Sequence, residues 1–88
     1  MKEKELERIL KALANRRRLA ITAFLKKRRE ASVGEVAENL MLSIKATSKH
    51  LNLMSATDIL DKEQRSTQVY YSISSNCPKP AKLIINLL

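Results

Sequence analysis

The stretch "SVGEVAENLMLSIKATSKHLNLM", residues 32–54, carries two helical patterns in close succession. Ser32 and Glu35 have the Ser-x-x-Glu spacing of a capping box, which predicts the start of a short helix. "MLS" (41–43) follows, and Ser43 is a favourable N-cap for a second helix. A short helix, a turn of about three residues and a second helix together predict a helix-turn-helix.

The second helix of this motif has a polar surface without acids. Its apolar spacing predicts one buried stripe, formed by Thr47, Leu51 and Met54. Lys45 and Lys49 fall on the opposite face, and residues 40–56 contain no Asp or Glu. Such a face is either solvated or in contact with a partner. Because cations and amides on a helix can read base edges in the major groove, we favour contact with DNA.

Two helices are predicted before the motif and one near the end of the chain. "EKELERILKALA" (3–14) has a helical apolar stripe, and Asn15 can cap "RRRLAITAFLKKR" (16–28). The last segment, "PAKLIINLL" (80–88), begins with Pro, which is tolerated in a first helical turn. All three segments are amphipathic and can pack against the helix-turn-helix.

A change of period after the motif predicts a β-hairpin. Apolar and polar positions alternate over 69–73, and Ile59 and Leu60 begin a partner strand, with "RSTQ" (65–68) at the tip. The predicted fold class is therefore mainly α with a β-hairpin. It is a winged helix-turn-helix over 1–88, a single domain in which the helices surround one small core beside a two-stranded wing.

Composition favours a polyanionic partner. The 88 residues include 17 Lys and Arg against 9 Asp and Glu, which gives a formal net charge of +8. Nucleic acid, an anionic membrane surface and an acidic protein all fit this charge. One Phe, two Tyr and no Trp are too few rings to stack unpaired bases, so duplex DNA is favoured over single strands.

The single Cys77 provides no disulfide framework and fits a reducing, cytoplasmic setting. Residues 1–13 contain three Glu and no apolar run, so we expect no signal peptide. No segment approaches the apolar length needed to span a bilayer, and no membrane association is expected.

Three stretches carry a resemblance to a known family. "LKALANRRRLAITAFL" (10–25), residues 32–54 and "ILDKEQRSTQVYYSI" (59–73) resemble the ArsR-type winged helix-turn-helix regulators of bacteria and archaea. The blocks "SKHL" (48–51) and "VYY" (69–71), at the right separation, make the resemblance fairly specific. It implies a homodimeric transcriptional regulator, a repressor that occludes a promoter by reading an inverted repeat in double-stranded DNA.

The resemblance places helix 43–56 in the major groove and wing 61–69 at the minor groove or the DNA backbone. The candidate DNA-binding residues on the helix are Ser43, Lys45, Ala46, Thr47, Ser48, Lys49 and Asn52. Those on the wing are Lys62, Gln64, Arg65, Ser66, Thr67 and Gln68. The lysines would bond guanine edges or phosphates, and Asn52 an adenine or a phosphate. Arg18 matches an Arg of the family and is a phosphate candidate, as are Arg16 and Arg17, whereas for His50 we expect a structural hydrogen bond.

The chain departs from the metal-sensing members of the family. Their Cys-x-Cys pair aligns with Ser32 and Gly34, and the last helix has no Asp, His or Glu. A divalent metal needs three or four N, S or O ligands, and this chain has one His and one Cys. We therefore predict no metal and no cofactor.

Three local departures concern backbone and core. Thr57-Asp58 replaces the Ala-Gly usual after the recognition helix, and Asp tolerates the left-handed conformation that this turn needs. Ser66 stands where the wing tip usually has Gly. Thr47 stands where Val is common, and its hydroxyl is expected to bond the carbonyl four residues earlier.

The terminal helices carry more apolar surface than a small core can absorb. Either they cover that core or, as the resemblance implies, they form a homodimer interface. The candidate interface residues are Leu6, Ile9, Leu10, Leu13, Leu83, Ile84, Leu87 and Leu88.

Other functions fit the same charge. A non-specific architectural or RNA-binding protein would show little preference among duplexes, and a protein-interaction winged helix would bind an acidic partner. An enzyme is not expected, because one His, one Cys and scattered acids provide no nucleophile–base pair.

Overall fold

The computed structural model describes residues 1–88 as five helices and a three-stranded sheet. The elements are α1 Glu3–Leu13, α2 Arg16–Arg28, β1 Glu30–Ser32, α3 Val33–Leu40, α4 Ile44–Ala56, β2 Leu60–Arg65, β3 Gln68–Ile73 and α5 Lys79–Ile85. The helix-turn-helix is α3–α4 and the wing is β2–β3. The mainly α winged helix-turn-helix predicted from the sequence is confirmed.

Side-chain caps set the helix starts. Asn15 accepts hydrogen bonds from the backbone N–H groups of Arg17 and Arg18, and Ser43 accepts one from Ala46. At α3 the predicted capping box is complete, since Ser32 and Glu35 each bond the other's backbone N–H. The prediction for the last helix was less accurate, because α5 covers Lys79–Ile85 rather than 80–88.

Helices α3 and α4 both end in a Schellman motif. After α3, Leu42 N–H donates to Ala37 O and Met41 N–H to Glu38 O. After α4, Ile59 N–H donates to Met54 O and Asp58 N–H to Ser55 O in the same pattern. The residues at the turns, Met41 at φ 56° and Asp58 at φ 62°, are left-handed although neither is Gly. The left-handed conformation predicted for Asp58 is confirmed.

The sheet has one more strand than the sequence analysis predicted. β3 lies between β1 and β2, and both neighbours run antiparallel to it. β1 pairs Glu30 with Ser72 and Ser32 with Tyr70, so it fixes the base of the wing to the start of α3. Its three residues are too short to show an alternating pattern, which explains why this strand was missed. At the wing tip Ser66 is left-handed, at φ 57°.

The core lies where α1, α2, α4 and α5 meet the sheet. Its largest fully buried side chains include Ile9, Ile21, Leu25, Leu51 and Met54. Leu13 is also buried, and Ile9 and Leu13 each have only 2% of their surface exposed. Both were predicted at a dimer interface, and that prediction is wrong because they pack inside their own chain.

Candidate nucleic-acid interface

The recognition helix α4 is oriented by its apolar stripe. Leu51 and Met54 are fully buried, so the helix is held by one side and presents the other to solvent. Lys45 and Lys49 are exposed on that outer side. Neither ammonium has a hydrogen-bond or ion-pair partner, since the ion pairs of the chain involve Lys11, Arg28 and Arg65. Two free cations therefore stand on a helix face without acids.

Thr47 does not belong to this outer face. Its exposed fraction is 0%, and its Oγ1 is a buried atom without a hydrogen-bond partner. Two predictions are thus corrected, because Thr47 is sealed from any DNA and does not bond the carbonyl of Ser43. The back-bonded threonine is instead Thr57, whose hydroxyl donates to Leu53 O at 3.2 Å and Met54 O at 3.0 Å.

Asn52 is held in a defined orientation at the wing side of α4. The hydroxyl of Tyr71 donates to its Oδ1 at 3.1 Å. Burial raises the pKa of Tyr71, which keeps this hydroxyl protonated and able to donate. The amide NH₂ of Asn52 has no partner in the chain and is free to donate to a base or a phosphate. Ser43 is exposed, whereas Ala46 and Ser48 are half-buried along the same helix.

The wing exposes most of the predicted residues. Lys62 and Gln64 on β2, Ser66 and Thr67 at the tip and Gln68 on β3 are all exposed. Gln64 Nε2 donates to Ser66 O at 3.0 Å, which stiffens the tip. Gln64, Ser66, Thr67 and Gln68 lie in the part of the wing that projects beyond β1, whereas Lys62 is level with Ala31 of β1.

Arg65 is exposed in part but is not a free cation. It forms ion pairs with Glu30 on β1 and Glu63 on its own strand, and its guanidinium lies 4.7 Å from the ring centre of Tyr70. The hydrogen bonds that Arg65 donates to Glu30, and then those to Glu63, raise the pKa of Arg65. The prediction that Arg65 is available to DNA is therefore corrected, because its guanidinium forms ion pairs with two carboxylates in this structure.

Arg18 likewise forms hydrogen bonds within its own chain. Its Nε donates to Ala12 O at 2.6 Å and its Nη2 to Lys11 O at 3.1 Å, so it caps the end of α1. Its Nη1 lies 3.3 Å from Nδ1 of His50 on α4. The predicted phosphate role of Arg18 is not supported, whereas the structural hydrogen bond predicted for His50 is present. Arg16 and Arg17 remain exposed.

One exposed residue of the site was missed. Ile44, the first residue of α4, is 55% exposed and lines a groove between α4 and the wing. The other groove residues from these two elements are Ser48, Thr67, Gln68, Val69 and Tyr70. No sequence signal indicated this exposure, because Ile44 precedes Thr47, Leu51 and Met54 by three, seven and ten residues and so falls on the same helical stripe.

Comparison with known proteins places the fold in a family. No protein-family model matches the sequence. The chain is 38% identical over 80 residues to the transcriptional activator HlyU of Vibrio cholerae, a match that spans 91% of this chain and 70% of HlyU. The chain belongs to the ArsR-type winged helix-turn-helix transcriptional regulators.

Solved structures of similar proteins superpose on this ArsR-type regulator. HlyU of Vibrio cholerae gives a TM-score of 0.83 at 34% identity, over 99% of this chain and 92% of that one. The repressor PagR of Bacillus anthracis gives a TM-score of 0.79 at 29% identity, over 97% of this chain and 94% of PagR. The homodimeric DNA-binding domain of Mb0332 from Mycobacterium bovis gives a TM-score of 0.80 at 25% identity, over 96% of this chain and 74% of that domain. Each is described as a regulator or a DNA-binding domain, and none as an enzyme.

Two further observations concern this ArsR-type regulator. No three His, Cys, Asp or Glu side chains converge as a metal-binding group. The Ser32 hydroxyl, at one of the positions aligned with the sensing cysteines, accepts the Glu35 N–H of the capping box. The absence of a bound metal remains a prediction. None of the five helices combines the length and hydropathy that a membrane crossing requires.

Proposed function

We propose that this regulator binds duplex DNA as a homodimer, with α4 in the major groove and the β2–β3 wing at the minor groove or the backbone. The unpaired cationic face of α4 is the observation that carries this proposal. Lys45 and Lys49 are free, whereas Arg18, Arg28 and Arg65 are all bonded within the chain. Each ammonium that meets a phosphate releases condensed counterions, so two free lysines on a protruding helix favour DNA.

The side chains around these lysines suit readout of bases. Lys45 and Lys49 reach guanine O6 and N7 or a phosphate, and the free NH₂ of Asn52 suits adenine N7 or a phosphate oxygen. Ser43, Ala46 and Ser48 line the approach to the bases. Lys62, Gln64, Ser66, Thr67 and Gln68 face the DNA from the wing, and Arg16 and Arg17 contact phosphates.

The proposed interface between two copies uses the terminal helices of the single domain 1–88. α1 packs on α5, and their outer surface carries Leu10, Leu83 and Leu87, which are 43%, 64% and 84% exposed. Half-buried Leu6 and Ile84 and exposed Leu88 complete the patch. A two-fold dimer places its recognition helices about 34 Å apart, one turn of DNA, which matches an inverted repeat. The homodimeric Mb0332 domain supports this arrangement.

We propose that the bound dimer represses transcription by occluding a promoter. PagR is a transcriptional repressor and HlyU a transcriptional activator, so relatives with this fold either repress or activate transcription. A dimer without catalytic groups affects transcription through the place it occupies on DNA, and a repressor requires only that its site overlap a promoter. We propose that such a protein works in the cytoplasm, in contact with the DNA that it binds.

Selection of bound duplexes from a random pool at two salt concentrations tests this function. We expect enrichment of an inverted repeat with half-site centres about one helical turn apart, persisting at the higher salt. A non-specific architectural protein would enrich no sequence and would lose its affinity as salt rises. A protein-interaction winged helix would retain no duplex at all. Either result would contradict the proposal.

A further inference from the structure

We propose that Ile44 is a specificity residue that reads thymine methyl groups in each half-site. This inference rests on the proposed function and deepens it, because it names a base that the polar face of α4 does not recognise. Ile44 is 55% exposed, whereas Ile9, Ile21 and Ile59 are at most 2% exposed. The remaining isoleucines of the chain are buried or half-buried. The fold therefore leaves this one isoleucine in water.

Ile44 is placed where recognition helices contact bases. It is the first residue of α4, directly after the Ser43 cap, and the N-terminal residues of a recognition helix contact base edges. It shares its groove with Ser48 from α4 and with Thr67 and Gln68 from the wing. With α4 in the major groove, the exposed Ile44 side chain at the start of this helix is therefore placed to contact a base.

The charges around Ile44 favour nucleic acid over an apolar protein partner. Lys45 follows it directly and is unpaired, and α4 carries no acid. The carboxylates that line the same groove, Glu35 and Glu38, come from α3, and Arg28 neutralises the first of them. Ile44 is thus an exposed apolar side chain that shares its groove with half-buried Val69 and Tyr70 and directly precedes an unpaired cation, which suits contact with a base edge.

The C5 methyl of thymine is the apolar group that the major groove offers. The donors of Lys45, Lys49 and Asn52 address acceptors on purines, but none of them distinguishes thymine by its methyl group. Enclosing one methyl group between Ile44 and the base is worth about a four-fold change in affinity. With one such contact in each half-site, the dimer would gain about fifteen-fold for thymine at that position.

Replacement of thymine by deoxyuridine tests this contact, because uracil keeps the hydrogen-bonding edge and removes only the methyl. The probe is the inverted repeat enriched by selection, with each symmetric pair of thymines replaced in turn. Affinities are measured for the natural chain, Ile44→Ala and the control Met41→Ala, which shortens another exposed apolar side chain, 91% exposed in the preceding turn. The melting temperature of Ile44→Ala confirms that it folds.

We expect one pair of thymines whose replacement weakens binding about fifteen-fold for the natural chain and for Met41→Ala, but not for Ile44→Ala. Equal uracil effects in all three proteins, no uracil effect at any position, or a selected site without thymine opposite the start of α4 would each overturn the inference. If selection enriches no sequence, the proposed function itself has failed, and that outcome is recognised before any thymine is replaced.

Discussion

Nη1 of Arg18 lies 3.3 Å from Nδ1 of His50, and this contact joins the start of α2 to the middle of the recognition helix. The same guanidinium bonds the last carbonyls of α1 at Ala12 and Lys11. Because an arginine has only donors, Nδ1 must accept, which requires the neutral imidazole. Burial of the ring lowers the pKa of His50, and the positive charges of Arg18 and Arg17 lower it further.

This contact predicts a pH-dependent stability. The folded His50 binds its proton at a lower pH than the unfolded residue, whose pKa is 6.5. The stabilising contribution is therefore complete above 6.5 and is lost as the pH falls through 6.5 toward the lowered folded pKa. Urea unfolding at about pH 7.5 and about pH 5.5, at one protein concentration, should show a larger loss of stability for the natural chain than for His50→Asn. Equal losses would contradict the assignment of Nδ1 as an acceptor.

Thr47 predicts a stabilising substitution. Its buried hydroxyl has no partner, so Thr47→Val, which keeps the shape of the side chain, should raise the free energy of unfolding by about 1 kcal/mol. Because Thr47 is 0% exposed, the affinity for the selected duplex should stay within about two-fold. Ser48→Ala, one residue on and half-buried, is the matched variant expected to weaken binding. If Thr47→Val lost as much DNA affinity as Ser48→Ala, Thr47 would contact DNA after all, and this correction of the sequence-based prediction would be wrong.

The ion pairs of Arg65 predict a gain of DNA binding. Replacing both partners, Glu30→Gln with Glu63→Gln, frees the guanidinium at the wing for a phosphate. The slope of log affinity against log salt should then steepen by about two units, one for each copy in the dimer.

Two controls separate this effect from the change of net charge. Glu3→Gln with Glu5→Gln makes the same change on α1 and should leave the salt slope nearly unchanged. Adding Arg65→Gln to the first pair should remove these two extra units of slope. If the slope is the same with and without the Arg65 substitution, this arginine does not contact DNA even when it is free.

The exposed leucines in α5 and directly after it predict the oligomeric state. At micromolar concentration the natural chain should sediment at twice its 10.0 kDa, and Leu83→Gln with Leu87→Gln should yield the monomer. Met41→Gln with Leu53→Gln removes exposed apolar surface elsewhere and should leave the dimer intact. A natural chain that sediments at 10.0 kDa would contradict the proposed interface.

Local sequence signals predicted most of the fold. The caps at Asn15, Ser32 and Ser43 act within three residues of themselves, and the helical stripes reflect a repeating burial pattern. β1 could not be predicted in this way, because Glu30–Ser32 becomes a strand only by pairing with a segment about forty residues later.

The candidate site was predicted less completely, because exposure depends on tertiary partners. The sequence shows that Arg18 and Arg65 are cations. It does not show that Arg18 donates hydrogen bonds to backbone carbonyls of α1, or that Arg65 forms an ion pair with the distant Glu30. In the same way, periodicity placed Ile9 and Leu13 on an apolar stripe without showing that one chain buries both. The exposure of the two α4 lysines was predicted, because an acid-free helix offers them no local partner, whereas their contact with DNA stays a prediction.

The central claim is that the face of α4 bearing Lys45 and Lys49 binds DNA. Its most direct test is a salt titration of the affinity for the selected duplex and for a scrambled one, with Lys45→Ala and Lys49→Ala combined. Lys4→Ala with Lys27→Ala removes the same charge from exposed positions on α1 and α2 and is the control. We predict that the α4 variant loses its preference for the selected duplex and about four units of salt slope, two from each copy of the dimer, while the control keeps its preference. An α4 variant that still prefers the selected duplex, with an unchanged slope, would contradict the account.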